Sequence, residues 1–276
     1  IDVEKEWPPR NMGEWISLGL RVKEAGVVDY PLWIATSKYD AGDCDIPSWV
    51  AAHPEGLEDG LFITKDWKST NINDPVWHQV LNTLVDVYRK LELTNPQTPD
   101  QNDEDLHEAL ARGATVMGPC ENAGFATIDE RDPALHEEGR MVYAPWPDLG
   151  SGAKAFQWGG KYHMLVESEV QDEAKRQAAI ELCREWIKPE YQRDLCQMRG
   201  SIPVDKGLWD DKDILPETNH NYFETQKQMA SGRVSQFQGH TQHKAISWEI
   251  FPEYVSRMFR GELPVSEALP QAKEEA

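Results

Sequence analysis

The sequence predicts an α/β fold, because segments with helical periodicity alternate with short apolar segments typical of strands. Residues 76–91 place apolar side chains on one face at a spacing of roughly 3.6 residues, which predicts a helix. Residues 27–35, 114–117, 141–147 and 163–166 are short apolar runs in segments that contain Gly or Pro, which predicts strands. The 276 residues are enough for one large domain or two smaller ones.

The first predicted helix begins after two prolines. Asn11 is a suitable N-cap, and Glu14 three residues later completes the spacing of a capping box. Apolar residues recur at helical spacing from Trp15 to Val22, and Gly26 is expected to end the helix. After the first predicted strand, residues 36–46 form a polar loop, which is where α/β proteins place ligands.

The middle of the chain alternates further helices with turns rich in Gly, Pro, Asn and Asp. The helices predicted there are one that starts near Pro47 and carries Trp49, one over 76–91, one over 103–110 that ends at Gly113, and two over 171–187 and 190–198.

The last long helix is predicted to run from Ser247 to the helix-breaking Gly261, and a second short helix follows over 265–269. It is amphipathic, since its apolar residues recur at helical spacing. These residues are Trp248, Ile250, Phe251, Tyr254, Val255, Met258 and Phe259.

The charge of the chain restricts its partners. Acidic residues outnumber basic residues by 48 to 28, which gives a formal net charge of −20. Nucleic acids and anionic membranes bind basic surfaces, so neither is expected as a direct partner. The 11 tryptophans exceed what packing needs, and an indole face can stack on the apolar face of a sugar ring.

Cysteines and histidines give no metal site. The four cysteines show no CxxC spacing; Cys183 and Cys196 could form one disulfide, and free buried thiols are an equal alternative. His240 and His243 have helical spacing, but no further ligand stands at a fitting distance in the sequence. No cofactor is expected, because phosphate-binding loops, dinucleotide fingerprints and nucleophile elbows are absent from the sequence.

In their order along the chain, these segments resemble the bacterial extracellular solute-binding proteins of the maltose-binding-protein-like class, which bind sugars for ABC transporters. The Trp15 helix is followed by a glycine and then Tyr30-Pro31-Leu32, and Gly113 precedes a buried run and a turn. The run from 189 to 204 reads as a helix followed by Gly200 and Pro203-Val204, as in that family. Trp248 stands 13 residues before Gly261, the spacing of a sugar-stacking tryptophan in the family.

The resemblance implies the type II periplasmic-binding-protein-like fold, an α/β architecture of two lobes joined by a hinge, with the ligand in the cleft between them. Residues 10–160 and 225–276 are expected to form the C-terminal lobe. Residues 165–224 are expected to belong to the hinge region and to helices that pack on the N-terminal lobe. Most of that lobe is expected to lie outside this chain, which would leave apolar helix faces uncovered.

The resemblance also implies the ligand contacts. Trp248 is expected to stack on the ligand, and glycines near the cleft let backbone amides approach a hydroxylated ligand. Cys120 stands where related proteins carry an aromatic residue. The complete expected set is Tyr39, Asp40, Glu121, Asn122, Trp158, Gly159, Gly160 and Trp248.

The function implied is capture of a mono- or oligosaccharide for an ABC-transporter permease, without catalysis. The protein is expected to be periplasmic or extracellular and associated with the cell surface, and to meet the membrane only through the transporter or through a lipid anchor outside this chain. One alternative is a secreted carbohydrate-active enzyme, which needs two carboxylates in one cleft; Asp129-Glu130 and Glu137-Glu138 are adjacent acidic pairs. Another is a polyamine binder of the same fold, which would use Asp40 and Glu121.

Overall fold

The computed structural model describes residues 7–37, 40–43, 45–55, 61–119, 122–147, 149, 153–158, 172–200, 202–211, 220–231, 233–236 and 242–276. The helices of the first half are α1 (Met12–Glu24), α2 (Asp40–Asp43), α3 (Asp45–Ala52), α4 (Pro75–Arg89), α5 (Asp103–Ala111), α6 (Asn122–Arg131) and α7 (Ala134–Glu137). Those of the second half are α8 (Glu173–Trp186), α9 (Pro189–Arg199), α10 (His220–Ser231), α11 (His243–Ala245), a π-helical turn (Ile246–Ile250), α12 (Phe251–Arg260) and α13 (Val265–Glu275). Short 3₁₀ turns occupy Thr98–Asp100 and Lys206–Leu208.

Helix α1 begins and ends where the sequence predicts. The side chain of Asn11 accepts a hydrogen bond from the backbone N–H of Glu14 at 2.9 Å. The carboxylate of Glu14 accepts from the backbone N–H of Arg10 at 2.9 Å rather than from Asn11, so only half of the capping box forms. After Glu24 the chain leaves the helix through Gly26, whose φ is +68°.

The strand predicted over 163–166 lies outside the described residues. The prediction of the other three strands is wrong in two respects. Residues 27–35 and 114–117 meet, but only through a single parallel bridge between Leu32 and Met117. Pro31 has no N–H, and the N–H of Leu32 donates to Leu93, so hydrogen bonding is divided among three segments and no ladder develops. Residues 141–147 form no strand at all, since Pro145 and Pro147 cannot donate to a sheet.

The one sheet among the described residues has two parallel strands, β1 (Ala153–Trp158) and β2 (Arg233–Gln236). Ala153 pairs with Arg233 and Trp158 with Gln236, and the register shifts twice between these ends. Neither strand is predicted from the sequence, because each is short and lacks the β-branched alternation that marks a strand.

The main core forms around the two C-terminal helices. Phe251 makes edge-to-face contacts with Phe62 and Trp77, and the ring of Phe62 is tilted against that of Trp77, with ring centroids 4.9–5.5 Å apart in the three pairs. Helix α4 packs its predicted apolar face against α12 and α13. The buried residues that α12 and α13 contribute are Phe251, Pro252, Tyr254, Val255, Met258, Phe259, Val265, Ala268, Leu269 and Ala272.

A second, smaller core joins α6, α9 and α10. The ring of Phe125 stacks on Tyr222 at 4.3 Å and on His136 at 4.5 Å. His136 is held between Asp129, 3.0 Å from its Nδ1, and the hydroxyl of Tyr143, 2.7 Å from its Nε2. This cluster is separate from the main core, while the expected division into lobes at 10–160, 165–224 and 225–276 stays a prediction.

Helix α8 and the segments after it expose apolar side chains. None of the described side chains of α8 is buried. The exposed apolar residues here are Leu182, Ile187, Tyr191, Met198 and Val204. The expectation that these helices pack on the N-terminal lobe stays a prediction.

Cys183 and Cys196 are free thiols, so the disulfide alternative is wrong. Burial raises the pKa of the Cys196 thiol to about 12, which keeps it protonated. Within the described ranges no helix is long and apolar enough to cross a membrane. In the same ranges, no three His, Cys, Asp or Glu side chains group as a metal site.

Candidate functional site

The candidate site is centred on Trp248, which lies in the π-helical turn between α11 and α12. In this turn the N–H of Phe251 donates to the carbonyl of Ile246, five residues earlier. Pro252 follows directly and has no N–H, so it cannot donate to the carbonyl of Trp248 and the regular helical ladder is interrupted here. Single π turns inside helices occur frequently at functional sites.

Trp248 is half-buried, and its ring has a cation beside it. The Nζ of Lys244, one helical turn earlier, lies 5.3 Å from the centroid of the indole ring. This is within the range of a cation–π contact. The neighbouring Ser247 is completely buried and donates its hydroxyl to the carbonyl of His243 at 2.9 Å. The indole therefore belongs to a turn whose backbone is held in place by the buried Ser247 and its hydrogen bond.

Helix α2 lies against this π turn and against α12. The contact is so close that a Cβ on Gly42 would overlap the carbonyl oxygen of Ser247. Only glycine fits there, because any side chain would meet backbone rather than a movable group. The structure thus brings the helix that begins at Asp40 directly beside the turn that carries Trp248.

Strand β1, which ends at Trp158, is connected to the same region through α3. Helix α3 follows α2 after one residue and packs against β1. Within α3, the ring of Trp49 lies 5.5 Å from Trp15 and 4.9 Å from Trp146. Three of the predicted site segments, at Asp40, Trp158 and Trp248, therefore belong to one connected group of elements.

The predicted site residue Asn122 lies elsewhere. Helix α6 starts at Asn122, and its main contacts are with α5, α7 and α9. Four residues before Asn122, a Cβ on Gly118 would lie 2.9 Å from the Cβ of Trp33, so Gly118 is packed against Trp33 and α5. The described contacts do not join Asn122 to the group around Trp248.

Four predicted residues, Tyr39, Glu121, Gly159 and Gly160, lie outside the described residues. For Asp40, Asn122 and Trp158 the backbone placement given above is described. The ligand contacts of all eight residues stay predictions.

Two residues of the site are missed by sequence reasoning. Lys244 precedes Trp248 by four positions, the spacing of neighbours on a helix face, but the helix predicted from the sequence begins only at Ser247. Gly42 gives no signal in the sequence, since a glycine in a polar loop is ordinary. Glycine is required there because of a close contact with Ser247, about 200 positions away in the chain.

The adjacent acidic pairs at 129–130 and 137–138 make contacts away from Trp248. Asp129 accepts from His136 in the second core, and Glu138 forms an ion pair with Arg140 at 2.9 Å. Neither pair belongs to the group of elements around Trp248.

Comparison with known proteins places the chain in context. A family model described as bacterial extracellular solute-binding protein matches residues 35–220. A search of curated proteins finds no match.

Solved structures of solute-binding proteins share the fold. A protein from Thermotoga lettingae TMO bound with alpha-D-tagatose is 16% identical, with a TM-score of 0.71 over 99% of this chain and 66% of that chain. Maltose-bound MalE3 from T. maritima is 16% identical, with a TM-score of 0.74 over 99% of this chain and 67% of that one. A protein from Agrobacterium radiobacter K84 in complex with ribitol is 16% identical, with a TM-score of 0.74 over 97% and 64%.

The chain spans about two thirds of the length of these structures. The likeness confirms the predicted type II periplasmic-binding-protein-like fold.

Proposed function

Because the chain belongs to the bacterial extracellular solute-binding protein family, we propose that it captures a carbohydrate and delivers it to an ABC-transporter permease. The ligand is held in a cleft between two lobes, and closure of the lobes on the ligand is the signal to the permease. Binding breaks no bond and needs no cofactor. The protein works in the periplasm or at the outer cell surface, with a lipid anchor as one means of attachment.

The observation that carries this proposal is the half-buried Trp248 on a turn fixed against α2. A preorganised indole loses little freedom when a flat apolar ligand face packs on it. Tagatose, maltose and ribitol, the ligands of the solved structures that share the fold, all carry many hydroxyls beside an apolar carbon skeleton. A carbohydrate is therefore the ligand class that suits this indole.

The contact with Lys244 argues against a polyamine as the ligand. A polyamine bound at Trp248 would bring its ammonium groups close to the ammonium of Lys244, 5.3 Å from the ring. Like charges at such separations repel each other, and the repulsion strengthens as water is excluded. A neutral sugar has no such conflict, and its hydroxyls can accept hydrogen bonds from the lysine.

An enzymatic role finds less support. A glycosidase needs two carboxylates facing one cleft. The adjacent acidic pairs at 129–130 and 137–138 contribute Asp129 and Glu138 to contacts with His136 and Arg140.

The proposal is tested by titration calorimetry of the protein expressed from its complete reading frame, against neutral mono-, di- and trisaccharides, sugar alcohols and spermidine. We expect one sugar class to bind. Trp248→Ala should weaken that binding by about 10- to 100-fold, which corresponds to roughly 1.4–2.8 kcal/mol.

Glu249→Ala is the matched control, because Glu249 is exposed on the same π turn. It should leave the affinity within about threefold. Binding of spermidine alone, or no binding to any sugar, would contradict the proposal.

A further inference from the structure

A cavity lined by residues outside the predicted ligand set lies at the carboxyl end of α3. It has a volume of about 750 Å³, which is large enough for a small oligosaccharide. Its lining combines hydrogen-bond donors and acceptors with two apolar residues. The residues are His53, Glu55, Lys65, Asp74, Pro75, Val76 and Gln79.

The loop that supplies Lys65 also presents an exposed tryptophan. Trp67 is 54% exposed and has a φ of +63°, a left-handed conformation that a bulky side chain rarely adopts. The loop lies between Ile63 and Thr70, which form an antiparallel bridge. Backbone strain of this kind is often found at functional sites, so the strained and exposed Trp67 is a candidate for a binding role.

Hydrogen bonds hold this conformation in place. The N–H of Trp67 donates to the carbonyl of Thr64 at 2.9 Å, and the Thr64 hydroxyl donates to the carboxylate of Asp66 at 2.7 Å. The N–H of Ser69 donates back to the Thr64 hydroxyl at 3.1 Å. The indole is thus presented by a rigid loop and does not depend on burial for its position.

The cavity shares no lining residue with the predicted ligand set around Trp248. His53 and Glu55 follow the carboxyl end of α3, whereas α2, which contacts the π turn, precedes its amino end. Helix α3 has eight residues, so its two ends are about 12 Å apart.

The chemistry of the lining selects the ligand class. Lys65 donates, Asp74 and Glu55 accept, and Gln79 does both, which matches hydroxyls that donate and accept in turn. Burial lowers the pKa of His53, so this imidazole is neutral at neutral pH and also bonds in both directions. The two carboxylates outnumber the single ammonium, which disfavours an anion. The apolar face of a sugar ring suits Trp67.

We propose that this cavity and Trp67 form a second binding site, which takes a neutral carbohydrate independently of the site at Trp248. The sugar ring packs on Trp67, which stands two residues after the lining residue Lys65, and the polar lining bonds its hydroxyls.

The test uses the protein from its complete reading frame, labelled with 5-fluorotryptophan and observed by fluorine NMR. Trp67→Gly identifies the resonance of Trp67, because that signal disappears. Maltose, cellobiose and xylobiose are titrated in turn to high concentration. We expect one of them to shift the Trp67 resonance saturably, and to do so equally in the Trp248→Ala protein.

Trp67→Gly also separates a binding role from a structural one. Glycine tolerates a positive φ, so the melting temperature should stay the same or rise. With Trp67 present, Gln79→Ala should raise the dissociation constant of this site, measured from the shift of the Trp67 resonance, at least threefold. Glu92→Gly is the control, because Glu92 is the other described non-glycine residue with a positive φ, at 51°, and it should leave the Trp67 shift unchanged.

Three outcomes would overturn the second site. One is a Trp67 resonance that no sugar shifts, and another is a shift that vanishes in Trp248→Ala. The third is a shift produced by the zwitterion glycylglycine and by none of the sugars. The first site is tested separately by calorimetry, so its failure and the failure of the second site are distinguishable.

Discussion

Trp248 and Trp67 are presented in two different ways. Trp248 is half-buried on a turn of irregular helix, with Lys244 beside its ring. Trp67 is exposed on a loop that hydrogen bonds hold rigid. The other described tryptophans include Trp77, which is buried in the main core. Spacing in the sequence identifies Trp248 as a candidate but gives no reason to choose Trp67, because a positive φ depends on the folded loop.

His107 is a buried histidine that makes stability depend on pH. It is 2% exposed, and its Nε2 has no hydrogen-bond partner among the described residues. Burial disfavours the charged imidazolium and lowers the pKa of His107 to about 4 in the folded protein. In the unfolded chain the pKa is about 6.5. The unfolded state therefore binds a proton first as the pH falls.

This difference predicts a loss of stability on acidification. The contribution of His107 is complete above about pH 6.5 and is lost as the pH falls towards 4, with about 2 kcal/mol lost at about pH 5. Urea unfolding of the wild type and of His107→Leu at pH 8 and pH 5 measures it. The wild type should lose about 2 kcal/mol more than the variant between these conditions. Equal losses in the two proteins would contradict this prediction, because they would show that the pKa of His107 is the same in the folded and the unfolded state.

At the scale of elements, the contact between α2 and the π turn is the feature that positions the candidate site. Gly42 lies against the backbone of Ser247, next to Trp248. Pro252 explains why the helix departs from regular geometry there. The contact links helix α2, near the start of the chain, with the π turn near its end.

Gly42→Ala should disturb both stability and binding. The added Cβ cannot be accommodated without moving α2 or the π turn, because the obstacle is a carbonyl oxygen. We expect a loss of at least about 2 kcal/mol in the free energy of unfolding. Sugar affinity should fall with it, since Trp248 would shift.

Gly13→Ala is the control for that substitution. A Cβ on Gly13 would meet only the side chain of Asn11, at 3.3 Å, and alanine favours the helix. Its effect should remain within about 1 kcal/mol. If Gly42→Ala behaved like Gly13→Ala in both measurements, the close contact with Ser247 would not position the site.

The elements show how far the sequence can predict the fold. Helix α1 and helix α4 follow from local signals, namely the cap at Asn11 and the apolar face from Val76 to Val87. The prediction of strands fails because distant partners decide their pairing. The carbonyl of Pro31 accepts a hydrogen bond from Met117 and the N–H of Leu32 donates to Leu93, so no ladder forms. The π turn also escapes prediction, since Pro252 at the second position of α12 is compatible with an ordinary helix start.

At the scale of the whole molecule, the described chain contains two separate aromatic cores and an exposed apolar face on α8 and α9. The order of its motifs is enough to predict the family, because the succession of degenerate motifs is more specific than any one of them. The ligand is harder to predict. Four of the eight predicted contacts lie outside the described residues, and cleft geometry depends on both lobes.

The most direct measurement is a crystal structure of the protein from its complete reading frame with the sugar that binds most tightly in calorimetry. We expect a sugar ring packed parallel to the indole of Trp248, within about 4 Å of its face. A hydroxyl of the sugar should lie within hydrogen-bond distance of Lys244. A sugar bound in the cleft with Trp248 out of contact would contradict the account, and so would a structure in which Trp248 is fully buried in the core.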